Sequence, residues 1–384
     1  MEVLATTPKQ GRIAVVRALQ LGDMLCAVPA LRSLRAALPE AHITLIGLPW
    51  AREFVSRFSL YLDDFLEFPG YPGIPERPLD PRAIVGFLGE AQARPFDLAI
   101  QLHGSGPHIN PFTQLLGARR TAGFYLPGDV CPAAESFLPW PETGHEIQRL
   151  ASLIYFLGGP HCGDELEFPL RRSDYEEAHT LLKQNHLHAG RYVCLHPGGR
   201  MLSRRWNLDK FARVAEWLDG QGFRVVLTGA PFEVELADQL EARIGCDVVN
   251  AAGQTGVGGM AALLTGARLL VSNDTGVSHI ASAVRTPSVV VVLGSQPDRW
   301  APLDADMHRT VMKPVACRPC GYYECPIGFH CERHVSPGDV IETIQQILSE
   351  QGSSPLPQIE PTTELDLPLA FAGEQPAGNL RGIP

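Results

Sequence analysis

Two stretches in the second half of the chain carry residues that are suited to bind phosphate. In the first, HPGGRMLSRRWNLDKF, Gly198 and Gly199 permit a tight turn, and Ser203, Arg204 and Arg205 stand just before a predicted helix. Backbone N–H groups, hydroxyls and guanidinium groups are common donors to phosphate oxygens. A surface loop with solvated arginines has the same composition, so this stretch by itself leaves both interpretations open.

The second stretch is VSNDTGVSHIASAV, in which a predicted strand ends at Asp274 and a helix starts at once. The start of a helix presents free N–H groups and the positive end of the helix dipole, which favour an anion. Thr275 and Gly276 lie at this start, and His279 lies about one turn further on. The alternative is that Asp274 or Thr275 only caps the helix and that His279 is a packed core residue.

An aspartate near the N-terminus is the candidate for proton transfer. Asp23 follows the predicted strand 12–16 (RIAVV) in a loop that also contains Gly22. A carboxylate at the carboxyl end of a strand can accept the proton of an attacking hydroxyl group. The alternative is that Asp23 is only the N-cap of a helix that begins at Met24.

Four of the nine cysteines lie close together in CRPCGYYECPIGFHC, as Cys317, Cys320, Cys325 and Cys331. Thiolates at such a spacing can close around a zinc ion. The spacing C-x2-C-x4-C-x5-C is irregular, however, and an odd total of cysteines favours reduced thiols over a disulfide framework. We therefore expect no bound metal, with a structural zinc site at the four cysteines as the alternative.

The predicted elements place the candidate residues at the carboxyl ends of strands. Strands and helices alternate with short connections in both halves of the chain, which predicts an α/β protein with two doubly wound parallel sheets. In the first half, strands are predicted at 12–16, 42–47, 62–68 and 97–103, and helices at 24–38, 50–58, 81–93 and 145–157. In the second half, strands are predicted at 191–196, 223–229, 247–250, 267–274 and 288–294, and helices at 173–185, 207–219, 232–243, 257–266, 276–284 and 337–350.

A segment rich in Gly, Pro and charged residues, 158–172, interrupts the alternation. We therefore predict a first domain at 1–160, a second at 161–350 and a disordered tail at 351–384 that can be removed without loss of activity. Sheets of this kind bind ligands beyond the carboxyl ends of their strands, so two of them facing each other enclose one cleft.

Composition excludes several classes of function. The 384 residues include 32 basic and 42 acidic side chains, a net charge of −10, which argues against nucleic-acid binding. Apolar residues make up 45%, as in an ordinary folded protein. No run is apolar and long enough to span a membrane, and the N-terminus does not have the pattern of a signal peptide, so we expect a cytoplasmic protein.

Taken together, these blocks resemble glycosyltransferase family 9, the bacterial heptosyltransferase family of lipopolysaccharide biosynthesis. The resemblance runs from about residue 12 to residue 348 through RIAVVRALQLGDMLCAVPALRSLRAALPEAHITLIG, the HPGG block and LLVSNDTGVSHIASAVRTPSVVVVLGS. It implies a GT-B fold, in which two Rossmann-like domains face a cleft. The first domain would bind the acceptor and the second the nucleotide-sugar, and the transfer would be inverting and independent of metal.

The resemblance also implies roles for individual residues. Asp23, with Gly22, would be the general base, and Arg204 would stand where the family usually has a catalytic lysine. Arginine keeps the charge but offers a planar fork in place of a point charge. Glu233 would hold the nucleoside, with Glu235 as the alternative. The other donor-binding positions would be Gly22, His196, Pro197, Gly198, Ser203, Arg205, Asp274, Thr275, Gly276 and His279.

The function implied is transfer of a heptose or related sugar from an ADP-sugar to the lipopolysaccharide core or a similar lipid-linked saccharide. No cofactor is expected, and the protein would touch the cytoplasmic face of the inner membrane peripherally. Two alternatives stay open: a GT-B enzyme with another nucleotide-sugar and acceptor, and a sugar-nucleotide-binding protein without catalysis. An NAD-dependent oxidoreductase is excluded, because the first strand is not followed by G-x-G-x-x-G and GQTGVGG at 253–259 lacks the required context.

Overall fold

Each half of the chain builds one six-stranded parallel sheet in the computed structural model, which describes residues 3–350. The first sheet has the order β3-β2-β1-β4-β5-β6, with β1 at Arg12–Val16, β2 at His42–Gly47, β3 at Asp64–Glu67, β4 at Leu98–Gln101, β5 at Arg120–Tyr125 and β6 at Phe137–Pro139. The second has the order β12-β11-β10-β7-β8-β9, with β7 at Tyr192–His196, β8 at Arg224–Leu227, β9 at Val248–Asn250, β10 at Leu269–Asn273, β11 at Ser288–Val291 and β12 at His308–Val311.

Helices cover both faces of each sheet. Those of the first half are α1 at Leu21–Leu25, α2 at Val28–Ala37, α3 at Ala51–Arg57, α4 at Pro81–Ala93, α5 at Ile109–Leu115 and α6 at Glu146–Phe156. Those of the second half are α7 at Arg172–Gln184, α8 at Leu208–Gly220, α9 at Val234–Glu241, α10 at Val257–Gly266, α11 at Gly276–Ala283, α12 at Pro297–Trp300, α13 at His330–His334 and α14 at Pro337–Glu350. Because both faces are covered, central strands such as β7 and β10 are buried along their whole length.

The predicted α/β class with two doubly wound parallel sheets is confirmed. In each sheet the strand order reverses between two neighbours, β1 and β4 in the first sheet and β7 and β10 in the second. Ligands bind such sheets at the carboxyl ends of the strands on either side of this reversal. Asp23 follows β1 and Asp274 follows β10, so the topology places both candidates at a switch point.

The predicted helix 24–38 is wrong in one respect, because the structure divides it into α1 and α2. Pro29 stands in the first turn of α2, where its missing N–H group is tolerated. A continuous helix would have needed that N–H group for an internal hydrogen bond. The break leaves α1 as a helix of five residues at the carboxyl end of β1.

The segment that joins the two halves is bonded to the first. Arg32 donates hydrogen bonds to the carbonyl oxygens of Cys162 (2.9 Å) and Glu165 (2.6 Å), and the Tyr61 hydroxyl donates to Glu167 at 2.8 Å. Residues beyond 160 therefore still contact the first half of the chain. The domain boundary at residue 160 stays a prediction. The predicted tail, 351–384, lies outside the described residues.

A buried ion pair fixes the start of the second half. Arg57 of α3 donates to both carboxylate oxygens of Asp174 in α7, and both side chains are buried. Between residues 3 and 350, no helix is long and apolar enough to cross a lipid bilayer.

We expect Asp174→Ala to lower the free energy of unfolding by about 3 kcal/mol, because it leaves the Arg57 guanidinium buried without its carboxylate. Glu176→Ala is the matched control, since its ion pair with Arg172 is exposed and contributes less than about 1 kcal/mol. Thermal and urea unfolding of both variants measure the difference. Equal losses in the two variants would contradict the assignment.

Candidate active site

The two halves of the chain meet where α1 packs against α11. The approach is close at Gly22, where an added Cβ atom would lie 2.9 Å from Cδ2 of His279 and 3.2 Å from Cα of Gly276. The Cys26 thiol lies 3.9 Å from Nδ1 of the same histidine. Asp23, the residue after Gly22, is therefore brought to the start of α11.

Asp23 is not the N-cap of a helix, because α1 begins at Leu21 and places Asp23 within the first turn. Its backbone carbonyl accepts hydrogen bonds from Nε (2.9 Å) and Nη2 (2.6 Å) of the buried Arg17. Burial raises the pKa of the Asp23 carboxyl above its ordinary value, and the negative charge of Glu146 raises it further. The positive charges of Arg17 and Arg299 lower that pKa without cancelling the rise. A raised pKa makes a carboxylate a better proton acceptor.

Sequence reasoning missed a cluster of charges beside Asp23. Glu146, at the start of α6, is buried and forms ion pairs with Arg149 (2.7 Å), Arg299 (2.9 Å) and Arg17 (3.6 Å). Burial raises the pKa of Glu146, but the three guanidinium groups outweigh burial and lower it below the ordinary value. Arg299 belongs to α12, so this ion pair also joins the two halves of the chain.

The HPGG loop is held by Asn273, the last residue of β10. Its side-chain amide donates to the carbonyl oxygens of Pro197 (2.8 Å) and Gly198 (3.1 Å), and its Oδ1 accepts from the N–H group of Trp206 at 2.9 Å. A single buried amide thus fixes both ends of the loop that contains the predicted phosphate-binding residues. Sequence reasoning placed Asn273 at a strand end but gave it no role.

Glu233 shapes the same loop from the opposite side. One carboxylate oxygen accepts from the N–H group of Gly199 at 3.0 Å, and the other from Ala230 at 2.9 Å. His196 lies 3.5 Å from that second oxygen, and burial lowers the pKa of His196. A Cβ atom at Gly198 would overlap this carboxylate, so the turn requires glycine. Binding of a nucleoside by Glu233 stays a prediction.

The start of α11 contains two polar groups with different surroundings. The buried Asp274 carboxylate accepts a hydrogen bond from the Ser295 hydroxyl. Thr275 occupies the N-cap position, but its side chain does not cap the helix, and its Oγ1 is buried without a hydrogen-bond partner in the described part of the chain. The explanation of Asp274 or Thr275 as a simple side-chain cap is therefore wrong. Burial lowers the pKa of His279, which favours the neutral imidazole beside this helix start.

The three polar residues of the SRRW stretch differ in their contacts. Ser203 donates its hydroxyl to the carbonyl oxygen of Tyr322 at 2.6 Å, and Arg205 donates from Nε to the carbonyl oxygen of Gly199 at 2.6 Å. Arg204 forms none of the ion pairs found among residues 3–350, and its Nε is buried without a partner. Of the two arginines, Arg204 is therefore the one whose Nε has no partner within the described chain.

The four late cysteines line one narrow cavity together with His330, next to Ser203. In the part of the chain that the structure describes, no three side chains of His, Cys, Asp or Glu are placed to hold a metal ion. A structural zinc site at the four cysteines stays an untested alternative. Their segment packs against the second sheet, where the N–H group of Cys320 donates to the carbonyl oxygen of Gly294 at 2.7 Å.

A second acidic side chain near the cleft was also missed. His103, two residues after β4, accepts the N–H group of Ala18 at Nδ1 (3.1 Å), and its Nε2 lies 3.6 Å from Glu76. Burial raises the pKa of Glu76, but the hydrogen bond and charge of His103 and the charge of Arg200 outweigh burial and lower the pKa below its ordinary value. Arg200, which follows the HPGG turn, is thus close enough for its charge to act on the Glu76 carboxylate.

Comparison with known proteins agrees with the resemblance to glycosyltransferase family 9. The family model "Glycosyltransferase family 9 (heptosyltransferase)" matches residues 138–329, half of the chain. Lipooligosaccharide heptosyltransferase 2 of Haemophilus ducreyi is 34% identical over 298 residues, which are 73% of this chain and 82% of the relative. Lipopolysaccharide heptosyltransferase 2 of Escherichia coli K12 is 24% identical over 362 residues, 88% of this chain and 99% of the relative.

The fold has a counterpart among solved structures. The structure of E. coli ADP-heptose lps heptosyltransferase II superimposes with a TM-score of 0.64 at 21% identity and covers 88% of this chain and 99% of that one. The similarity confirms the expected GT-B arrangement of two Rossmann-like domains. It does not test the roles of individual residues, which stay predictions.

We expect Gly22→Ala to lower the free energy of unfolding by about 1–3 kcal/mol, because the added methyl group overpacks the contact of α1 with α11. Gly86→Ala is the control, since that helical glycine has open space around its Cβ position and alanine favours the helix by about 1 kcal/mol. Thermal unfolding measures both variants. If Gly22→Ala were as stable as the unchanged protein, the two helices would not pack as closely as described.

Proposed function

Since the chain belongs to glycosyltransferase family 9, we propose that it transfers a heptose from ADP-heptose to a saccharide acceptor of the lipopolysaccharide core. The chain is a glycosyltransferase related to heptosyltransferases, and its donor and acceptor are the proposed part. The observation that carries the proposal is the contact of α1 with α11, because it puts the carboxylate of Asp23 beside the start of a helix that can bind a diphosphate.

The proposed reaction is a single displacement with inversion. An acceptor hydroxyl oxygen forms a bond to the anomeric carbon of the heptose while the bond from that carbon to the diphosphate oxygen breaks. The proton of the hydroxyl passes to Asp23, and ADP leaves with the bonding electron pair. The raised pKa of Asp23 supports its role as the general base.

The departing diphosphate gains negative charge, and we assign its stabilisation to two features. One is the start of α11, with its free N–H groups at Thr275 and Gly276 and its positive dipole end. The other is the guanidinium group of Arg204, whose Nε has no partner within the described chain. Together they supply positive charge without a divalent cation, so we propose a transfer that does not depend on metal.

The acceptor is proposed to bind the first domain and the donor the second. Asp23 and Glu76 belong to the first half, and the phosphate-binding candidates belong to the second. A lipid-linked acceptor would be reached at the cytoplasmic face of the inner membrane by peripheral contact. Exposed apolar side chains of the first half, such as Leu60 and Leu79, would support that contact.

We expect Asp23→Asn to reduce heptose transfer at least about 100-fold, because the amide cannot accept the proton. The assay offers ADP-heptose, UDP-sugars and GDP-sugars with lipopolysaccharide core acceptors, with and without EDTA, and product mass is read. Asp306→Asn, on an exposed aspartate, is the matched control and should retain full activity. Turnover of UDP-sugars alone would refute the proposed donor. Full activity of Asp23→Asn would refute the proposed base, and loss of activity with EDTA would refute the proposed independence from metal.

The pH dependence of kcat/KM tests the same base. Asp23 acts only when deprotonated, so its raised pKa places the acid limb of the profile above the 3.8 of an ordinary aspartate. Arg299→Gln removes a positive charge that lowers this pKa, so the acid limb should move to higher pH. Arg172→Gln, on an exposed arginine, should leave the limb in place. An acid limb that stays or moves to lower pH in Arg299→Gln would show that another group is titrating.

A further inference from the structure

A cavity of about 310 Å³ lies in the first half, apart from every residue assigned a role above. It is formed by the loops that follow β4 and β5 and by the start of α5. These loops leave the carboxyl edge of the sheet, the same edge from which Asp23 emerges. Because β5 lies two strands from β1, the cavity is about 10 Å along this edge from the strand that positions Asp23.

The wall of the cavity contains an unsatisfied polar group. Asn110 is only 7% exposed, and its Nδ2 donates to the carbonyl oxygen of Phe124 at 2.9 Å. This bond directs the amide, and its Oδ1 is left buried without a hydrogen-bond partner among residues 3–350. An unsatisfied buried acceptor costs about 1–3 kcal/mol, so the site favours a ligand that donates a hydrogen bond, such as a hydroxyl group.

The rest of the lining identifies the chemistry of that ligand. Tyr125, Gln114 and Asp129 add polar groups, while prolines and Val130 add apolar surface. Among the described residues that line the cavity there is no Lys, Arg or His, so a phosphate or carboxylate would meet Asp129 without a cation. An acyl chain would leave Asn110 unsatisfied. A mixed wall of this kind matches an uncharged sugar ring, which has hydroxyl groups at its edge and C–H groups on its faces.

The backbone of the loop is built for this approach. Gly106 has a φ of +115°, and a Cβ atom there would lie 2.6 Å from the carbonyl oxygen of Phe124. Only glycine permits both the conformation and the close contact with β5. The loop is therefore fixed against the strand that supplies Tyr125, and the cavity does not depend on a ligand to form.

We propose that this cavity binds an uncharged sugar ring of the acceptor saccharide, one that is remote from the hydroxyl group deprotonated by Asp23. The inference rests on the proposed function, because it makes the first half the acceptor side. The inference adds a specificity site. The acceptor must place a ring in this cavity and its reacting hydroxyl group at Asp23 at the same time, so only saccharides of suitable length and linkage fit.

The test fills the cavity from its exposed rim. Val130 is 90% exposed, so Val130→Trp is compatible with folding and places an indole over the opening. Val85→Trp is the matched control on α4, where the residue is 73% exposed and does not line the cavity. Tyr125→Phe is a second variant that removes only a hydroxyl group. Melting temperatures establish that all three variants fold.

Binding is measured by calorimetry with deacylated lipopolysaccharide core oligosaccharides that carry none, one or two heptoses, and with the same saccharides bearing their acyl chains. We expect Val130→Trp to weaken binding of the deacylated saccharide at least tenfold and to raise the KM for the acceptor, with the KM for ADP-heptose unchanged. Tyr125→Phe should weaken binding by about two- to tenfold, the effect of one hydrogen bond. Val85→Trp should bind as the unchanged protein does.

The outcomes separate this inference from the proposed function. If the unchanged protein binds the oligosaccharide but transfers no heptose, the proposed function fails while the binding comparison still tests the cavity. If Val130→Trp and Tyr125→Phe bind the deacylated saccharide normally, or if the unchanged protein binds none, the cavity is not a sugar site. A loss confined to acylated acceptors would also overturn it, because the occupant would then be an acyl chain.

Discussion

Helices α1 and α11 come from different halves of the chain and meet at a pair of glycines. Gly22 and Gly276 approach so closely that a side chain on the first would strike His279 and the backbone of the second. The base candidate and the helix start that we propose to bind the diphosphate are thereby placed close together, although each belongs to a different sheet. Neither half of the chain contains both parts of the proposed site, so the proposed reaction depends on how the two halves are positioned.

Charge is distributed so that this centre can accept an anion within a protein of net charge −10. Three arginines surround the buried Glu146, and one of them, Arg17, also holds the carbonyl group of Asp23. The arrangement leaves Asp23 with a raised pKa instead of a strong ion pair, which suits a proton acceptor. On the donor side, Arg205 is engaged by Gly199 through its Nε, whereas the Nε of Arg204 has no partner within the described chain.

Much of the fold and part of the candidate site could be predicted from local sequence. Alternating strands and helices indicated the fold. Asp23 and Asp274, which follow or end predicted strands, indicated the edges that form the cleft. The break at Pro29, which the prediction of one helix at 24–38 overlooked, could also have been read from the sequence, since proline starts a helix more easily than it continues one. Strand β12 was not predicted, because its sequence HRTV is too short and polar to show the pattern of a strand. Glu146 and Arg299 are 153 residues apart, and their pairing depends on how the two halves meet, which no local pattern encodes.

In the proposed reaction, Asp23 and the start of α11 act on the same bound substrates. The most direct measurement is a crystal structure of the Asp23→Asn variant with intact ADP-heptose. We expect the diphosphate within about 3 Å of N–H groups at the start of α11 and of the Arg204 guanidinium, with the anomeric carbon open toward the side chain at position 23. A diphosphate bound away from α11, or an anomeric carbon whose free face points away from position 23, would contradict the proposed reaction.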